Sequence, residues 1–433
     1  MPIQSAANPA AGVANPDAAS NKGALSTVTT LFFMWGFLTC LNDILVPHLK
    51  SIFDLSYAQV MLIQFSFFSS YFVFSIPAGK LIGWIGYKRT MVAGLFTMGI
   101  GALLFVPAAS VPSFPLFLAA LMILATGITA LQVAANPYVT ALGPRRTASS
   151  RLNLTQAFNS LGTTVAPYFG SLFILSAAPK STDEIRQISA QALQAYRLHE
   201  ASSVKVPYLG LSVTLLLLAL FIAAMKLPAI PDAVKRGSSL PRGEGASVWR
   251  HRHLVLGAVG IFVYVGAEVA IGSFLVSYFG QPAIGNFPPN IAARFVSLYW
   301  GGAMVGRFIG SAVLQRVRTG TVLGVAAIAA CLLVVTSILS VGQVAMWSII
   351  LVGLCNSVMF PSIFALGVSG LGPLTGDGAG VLIMAIVGGA IIPLVQGVLA
   401  DHIGIHHAFI LPAICYLYIL YYAARGSQPV AGT

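Results

Sequence analysis

Residues 27–48 read TVTTLFFMWGFLTCLNDILVPH, a run of 22 residues with one acidic side chain, Asp43, and no lysine or arginine. A helix of about 20 mainly apolar residues is long enough to cross the hydrocarbon core of a bilayer. The stretch therefore predicts a transmembrane helix that carries a single carboxylate inside the membrane.

The rest of the 433-residue chain has the same character. Hydrophobic residues make up 57% of it and charged residues only 8%, whereas soluble domains carry about 25% charged residues. The mean hydropathy of +0.87 agrees with this, and together these values exclude a soluble enzyme, a disordered protein and a nucleic-acid binder. The four cysteines show neither disulfide nor metal-ligand spacing, so we expect no metal and no cofactor.

Twelve helical spans account for the apolar runs of the chain. They are expected near 27–48, 58–82, 90–110, 113–141, 153–176, 206–226, 253–280, 292–315, 320–341, 343–369, 378–400 and 406–424. An even number of spans puts both termini on one side. If that side is cytoplasmic, 17 of the 23 basic residues fall on cytoplasmic segments and 6 outside, as the positive-inside rule predicts. The net charge of +12 then belongs to cytoplasmic loops, and we expect a multi-pass protein of the plasma or bacterial inner membrane.

The two halves of the chain resemble each other. The sequence GKLIG at 79–83 is similar to GRFIG at 306–310, at an offset of 227, and two weaker matches have offsets of 224 and 226. We predict an all-α membrane fold in which a six-helix bundle (26–226) and its pseudo-symmetric copy (253–425) are joined by a basic cytoplasmic linker (227–252). A disordered cytoplasmic tail (1–25) and a short tail (426–433) complete the chain. Secondary transporters have such repeats, with binding sites near the midplane between them.

Two of the eleven acidic residues lie inside apolar spans. These are Asp43 in span 1 and Glu268 in span 7, at an offset of 225 that places them at related positions of the repeat. A charge at mid-bilayer costs at least about 2.5–3.5 kcal/mol, so such residues face the bundle interior and usually mark a substrate or ion path. Neither span carries a basic partner. We predict that both carboxylates couple to protons, with direct substrate binding as the alternative role of Glu268.

Polar side chains also repeat on single helix faces in spans 1, 4 and 5. Trp35, Thr39, Asn42 and Asp43, for example, follow each other at i, i+4, i+7 and i+8. An amide both donates and accepts, which suits the paired hydroxyls of a sugar; hydrogen bonding between helices is the alternative. No basic residue accompanies these amides in sequence, which argues against an anionic substrate. The candidate substrate-binding residues are Trp35, Thr39, Asn42, Gln132, Asn136, Gln156, Asn159, Glu268, Asn356 and Gln396.

Three segments carry a family resemblance: 36–50, LQVAANPYVT at 131–140, and RLNLTQAFN at 151–159. They resemble the fucose–proton symporter family of the major facilitator superfamily, including its bacterial glucose/galactose transporter branch. The resemblance covers nearly the whole chain and implies two six-helix bundles, alternating access and hexose uptake driven by an ion gradient. It further implies a proton-coupling role for Asp43.

The same resemblance implies sugar-binding roles for Gln156 and Asn159. Fucose transporters carry a glutamate at the position of Gln132, where this chain has an amide that cannot titrate, as in the glucose/galactose branch. Glu268 then takes over part of the glutamate's role, or Asp43 couples alone.

The superfamily signature after span 2 is also altered, because Gly83 stands where an aspartate is usual. The candidate inner-gate residues are Lys88, Arg89 and Arg307.

The sequence thus predicts a monomeric, proton-coupled hexose importer, with D-glucose or D-galactose as the expected substrate. Sodium-coupled or uncoupled sugar transport is the first alternative. A proton-driven exporter of apolar compounds and a transporter-like membrane sensor are less favoured, since the spans carry many amides and the tails are short. An enzyme is not expected, because no nucleophile–base pair or metal cluster appears in the spans.

Overall fold

The computed structural model describes residues 18–53, 57–111, 113–173, 189, 191–192, 195–196, 198, 205–230 and 247–428. Side chains are described in these ranges except at 18–21, 41–53, 57–62, 64, 167–173 and 289–290. The described residues form helices and turns without a strand, which confirms the all-α prediction for that part of the chain.

The described residues of the first half form five long helices. Their bounds are α1 Ala18–Phe53, α2 Tyr57–Ser110, α3 Phe114–Ala141, α4 Ala148–Phe173 and α5 Lys205–Ala224. Because α1 begins at Ala18, residues 18–25 of the predicted tail are helical, as their alanine content favours. Residues 1–17 lie outside the described part of the chain.

Helix α2 contains two spans. Its apolar stretch Phe65–Ser110 has 46 residues, which as one straight helix would be about 70 Å long, more than twice the roughly 30 Å hydrocarbon thickness. The helical path is interrupted at Gly86, whose φ of 80° and ψ of 168° are not helical. A positive φ of this kind is accessible to glycine at low cost. Gly86 therefore separates the two spans that the sequence predicts near 58–82 and 90–110.

The second half is more interrupted than the sequence suggests. Its bounds are α6 Arg252–Phe279, α7 Pro289–Arg316, α8 Thr319–Leu339, α9 Gly342–Asn356, α10 Met359–Gly367, α11 Thr375–Met384, α12 Gly388–Ile403, α13 Ile405–Ala408 and α14 Ile410–Tyr421. The predicted span 343–369 is divided between α9 and α10, and the predicted span 378–400 is divided between α11 and α12 by a 3-10 turn at Ala385–Val387. Discontinuous helices of this kind are typical of binding sites at the membrane midplane.

The helices agree with twelve crossings. Nine described segments are long and apolar enough to span a membrane, and one of them, in α2, crosses twice. Helix α4, with 26 residues, and α7, with 28, are also long enough but lie outside those nine. Both carry polar side chains that line a cavity between the two halves.

The two halves meet through a pair of symmetry-related contacts. Helix α2 packs on α11, and α4 packs on α7; in the repeat these are spans 2 with 11 and 5 with 8. A Cβ on Gly79 would lie 2.6 Å from the carbonyl oxygen of Gly376. On the other side, the Ser150 hydroxyl donates to the Ser311 carbonyl over 2.7 Å. Both contacts lie toward the end of the bundle where Gly86 reverses the chain, so the halves are in contact at that end.

Candidate substrate-binding cavity

A cavity of about 220 Å³ lies between the two halves. Its lining comes from both of them and mixes aromatic rings with amides, hydroxyls and one acid–base pair. The lining residues are Trp35, Gly36, Thr39, Phe67, Phe68, Tyr71, Gln132, Gln156, Asn159, Thr163, Tyr264, Val265, Glu268, Arg307, Phe360 and Ile386. Phe360 follows the interruption between α9 and α10, and Ile386 lies in the turn between α11 and α12, so the broken helices border the cavity.

Close packing of α1 on α4 positions Asn159. A Cβ on Gly36 would overlap the carbonyl group of Asn159, and a Cβ on Gly162 would lie 2.8 Å from the amide nitrogen of Phe37. Glycine at these two positions lets the helix backbones touch. The Asn159 amide then donates to the Phe32 carbonyl over 2.9 Å, which fixes the orientation of its side chain at the cavity wall.

Gln132 is held by an aromatic hydroxyl. Its amide nitrogen donates to the Tyr71 hydroxyl over 2.7 Å, and its side chain is only 7% exposed. Tyr71 comes from a cluster of aromatic residues on α2 with Phe67 and Phe68. This cluster was not predicted from the sequence, although Phe67 and Tyr71 share a helix face at i and i+4.

The segment RLNLTQAFN (151–159) lies in α4, and its polar side chains have different partners. The Arg151 guanidinium donates to the carbonyls of Val139 and Thr140 at 3.2 and 2.7 Å, and so caps the carboxyl end of α3. The Asn153 amide donates to the Arg307 carbonyl in the other half over 2.6 Å. Gln156, five residues after Arg151 on the same helix, lines the cavity.

A network of tyrosines supports the turn of α6 that carries Glu268. The Tyr416 hydroxyl donates to Asn356 Oδ1 over 2.8 Å, and Asn356 Nδ2 donates to the Tyr299 hydroxyl over 2.8 Å. Tyr299 in turn donates to the Glu268 carbonyl over 3.2 Å. The Tyr264 hydroxyl donates to the Asn356 carbonyl over 3.1 Å. The network thus fixes the backbone of Glu268 through its carbonyl, and the side chain of Glu268 lines the cavity.

The position of Arg307 contradicts the expectation that no basic residue lies among the amides of the site. Its side chain lines the cavity, donates through Nη1 to the Ser160 hydroxyl of the first half, and interacts electrostatically with Glu268. The sequence predicted no basic residue among the amides, because only residues in the same spans as the acids were considered. Arg307 comes from α7, a different span, and the fold brings it into the site.

The structure places the predicted binding residues in three groups. Trp35, Thr39, Gln132, Gln156, Asn159 and Glu268 line the cavity. Asn136, Asn356 and Gln396 are fully buried outside the lining; Asn356 is hydrogen-bonded in the tyrosine network, whereas the amides of Asn136 and Gln396 have no hydrogen-bond partner. Helix α1 includes positions 42 and 43, but the side chains of Asn42 and Asp43 lie outside the described residues.

The predicted inner-gate residues do not lie together. Lys88 donates to the Ala223 carbonyl over 2.7 Å at the end of α5, where a cation interacts favourably with the helix dipole. Arg89 is exposed, and Arg307 is in the cavity.

Comparison with known proteins identifies a family for this fold and cavity. The sequence profile of the Major Facilitator Superfamily matches residues 25–385. The chain is 53% identical over 405 residues to the glucose/galactose transporter of Brucella abortus, covering 94% of each chain. It is 37% identical to the L-fucose-proton symporter of Escherichia coli, covering 92% of each. The structure superposes on that of FucP in an outward conformation with a TM-score of 0.88 at 35% identity, covering 94% of this chain and all of FucP. These matches confirm the predicted family and its two-bundle fold.

Proposed function

The chain belongs to the Major Facilitator Superfamily, and on that premise we propose that it is a proton-coupled importer of a neutral hexose, D-glucose or D-galactose. The observation that carries the proposal is the 53% identity, over 94% of both chains, to a glucose/galactose transporter. The cavity supports it, because Gln132, Gln156 and Asn159 present amides beside aromatic rings. Such a lining can pair with several hydroxyls and cover the apolar face of a sugar ring.

The charges of the cavity favour a neutral substrate. Among the described lining residues there is one acid, Glu268, and one base, Arg307, so their charges balance. An anionic sugar would add a second negative charge beside the Glu268 carboxylate, and the two negative charges would repel each other. D-glucuronate and D-galacturonate are therefore expected to compete poorly with the neutral hexoses.

We place both termini on the cytoplasmic side of a plasma or bacterial inner membrane, and we expect a monomer in which residues 227–252 link bundles 26–226 and 253–425. In this orientation the contacts α2–α11 and α4–α7 close the cytoplasmic side. Asp43 takes up a proton while the cavity faces outward, the sugar binds among the amides, and the bundles rock to release both inside. Lys88 and Arg89 serve at the inner gate in other conformations of the cycle.

Uptake into proteoliposomes tests the proposal. Labelled D-glucose or D-galactose should accumulate when an inward proton gradient is imposed and sodium is absent. Equilibration without dependence on the gradient would mean uncoupled transport, and accumulation that needs sodium at constant pH would mean sodium coupling. No uptake of either sugar would refute the hexose assignment.

The variant Asp43→Asn separates coupling from binding. It should abolish gradient-driven accumulation and leave sugar exchange intact, since the amide keeps the hydrogen-bonding shape but cannot carry a proton. Asp401→Asn is the matched control, because Asp401 is an exposed acid at the end of α12. Loss of exchange in Asp43→Asn would mean that Asp43 is needed for binding or folding instead.

A further inference from the structure

The amide of Asn159 is fixed with its oxygen free. Its nitrogen donates to the Phe32 carbonyl over 2.9 Å, and because a carbonyl can only accept, the amide cannot turn over. Asn159 Oδ1 accepts from no described residue and is not enclosed by protein, and Asn159 lines the cavity. An amide oxygen accepts and cannot donate, so a group that binds this atom has to bring a proton.

The hydroxyl of Thr163 has the same polarity. It donates to the Ser160 carbonyl over 2.8 Å, and since a hydroxyl has one proton, its oxygen is left with lone pairs alone. Thr163 is partly exposed and lines the cavity. It follows Asn159 by four residues on α4, so the two side chains are neighbours on one helix face.

A third acceptor lies on α1. Thr39 lines the cavity, and its hydroxyl donates to the Trp35 carbonyl over 2.8 Å. Helix α1 touches α4 where a Cβ on Gly36 would overlap Asn159, and Thr39 comes about one turn after Gly36. The two helices therefore bring acceptor oxygens to the same side of the cavity.

Gln156 differs from these residues. Its amide makes no hydrogen bond within the described part of the chain and is not enclosed by protein, so its oxygen and its nitrogen are both available to a ligand in the cavity. Gln156 can accept from one hydroxyl or donate to another, whereas the free oxygens of Asn159 and Thr163 can only accept.

We propose that Asn159 Oδ1 and Thr163 Oγ1 each accept the proton of a sugar hydroxyl, so that Thr163 is a further specificity-determining residue of the cavity. The proposal rests on the proposed function, since it takes a hexose as the ligand. A fluorine or an ether oxygen at the same carbon offers only lone pairs, which would face the lone pairs of the protein. The site therefore selects sugars with free hydroxyls at these two carbons.

Binding of monodeoxy and monofluoro D-glucose and D-galactose to the purified wild-type protein is the first test. Replacing a hydroxyl that donates to Asn159 or Thr163 by hydrogen leaves an acceptor unpaired and should weaken binding about 5- to 50-fold. Fluorine at that carbon should be no better than hydrogen, because it cannot donate. The proposal is wrong if no carbon shows this pattern, for example if fluorine restores binding wherever hydrogen weakens it. If neither parent hexose binds, the proposed function fails and this proposal falls with it.

The variant Thr163→Val is the second test, because valine keeps the branched shape and removes the acceptor. The deoxy penalty at one carbon should fall to about twofold or less, while the penalties at the other carbons stay as in the wild type. Thr164→Val is the matched control: Thr164 donates to the same Ser160 carbonyl over 2.8 Å but is exposed and outside the cavity lining, so every penalty should be unchanged.

A merely structural role of Thr163 would weaken the parent sugar and all its analogues equally. The ratios in Thr163→Val would then equal those of the wild type, which would overturn the proposal. If Thr163→Val does not fold, Thr163→Ala should remove the same single penalty, and Thr163→Ser, which keeps the acceptor, should retain it. Equal ratios in the alanine and serine variants would again overturn the proposal.

Discussion

Replacing Asn356 by alanine should destabilise the protein more than it weakens sugar binding. Its side chain accepts from Tyr416 and donates to Tyr299, far enough behind the cavity to be absent from the lining. Hydrogen bonds between helices inside membrane proteins contribute about 0.6 to 1.7 kcal/mol each, so the two bonds account for about 1–3 kcal/mol. Tyr299 keeps a partner in the Glu268 carbonyl, whereas the Tyr416 hydroxyl loses its acceptor, which places the expected loss in the upper part of that range.

A double-mutant cycle tests this reasoning. The free energy of unfolding would be measured in mixed micelles for Asn356→Ala, Tyr416→Phe and the double variant. Because Tyr416→Phe removes the hydroxyl that Asn356→Ala leaves unpaired, the double variant should be less destabilised than the sum of the two by about 0.5–2 kcal/mol. Gln156→Ala is the contrasting variant: it should keep its stability and bind the hexose about 2- to 10-fold more weakly. Unchanged stability of Asn356→Ala with lost sugar binding would refute the reasoning and return Asn356 to the binding site.

Two further predictions concern the packing that supports the cavity. In a thermal unfolding measurement, Gly36→Ala should lower the stability by about 1–3 kcal/mol, and it should also weaken sugar binding, since its Cβ would displace the backbone of Asn159. Gly210→Ala is the control: a Cβ there meets nothing within 4 Å, so this variant should be neutral or slightly stabilising in the same measurement. Arg151→Gln should lower the midpoint temperature of unfolding, because it removes the cap of α3. Arg146→Gln, at an exposed position, should leave that temperature unchanged. Equal midpoints for the two variants would contradict the capping role.

Sequence patterns were sufficient for the fold because bilayer thickness restricts the possible structures. Apolar runs such as 27–48 and the repeat of 79–83 at 306–310 depend on local composition, which the chain displays directly. The interruptions at 357–358 and 385–387 were not predicted, because the apolar pattern continues through both. Local signals do accompany them: Pro361 has no N–H to donate to the Ser357 carbonyl, and Gly388 and Gly389 follow the second interruption.

The cavity was predictable to the extent that its residues share a helix face. Gln132, Gln156 and Glu268 were found in this way, because an amide or acid in an apolar span has to face protein. Asn356 satisfies the same criterion and yet is bonded to tyrosines from two other helices, so the criterion selects buried polar residues without distinguishing ligand contacts from structural ones. Arg307 was missed as a cavity residue because its relation to Glu268 exists only between helices.

The two contacts between the halves differ in chemistry, and the difference bears on coupling. The α2–α11 contact brings backbone against backbone at Gly79 and Gly380, each with a Cβ position within 2.7 Å of a carbonyl oxygen across the interface. Such contacts depend on dispersion forces and separate without leaving a charge unpaired. The α4–α7 contact instead depends on hydrogen bonds. Asn153 donates to the Arg307 carbonyl, Arg307 donates to Ser160, and Ser150 donates to the Ser311 carbonyl. Because Arg307 also lines the cavity, separation of α4 from α7 breaks hydrogen bonds of a residue at the substrate site, which connects opening of this contact to the cavity.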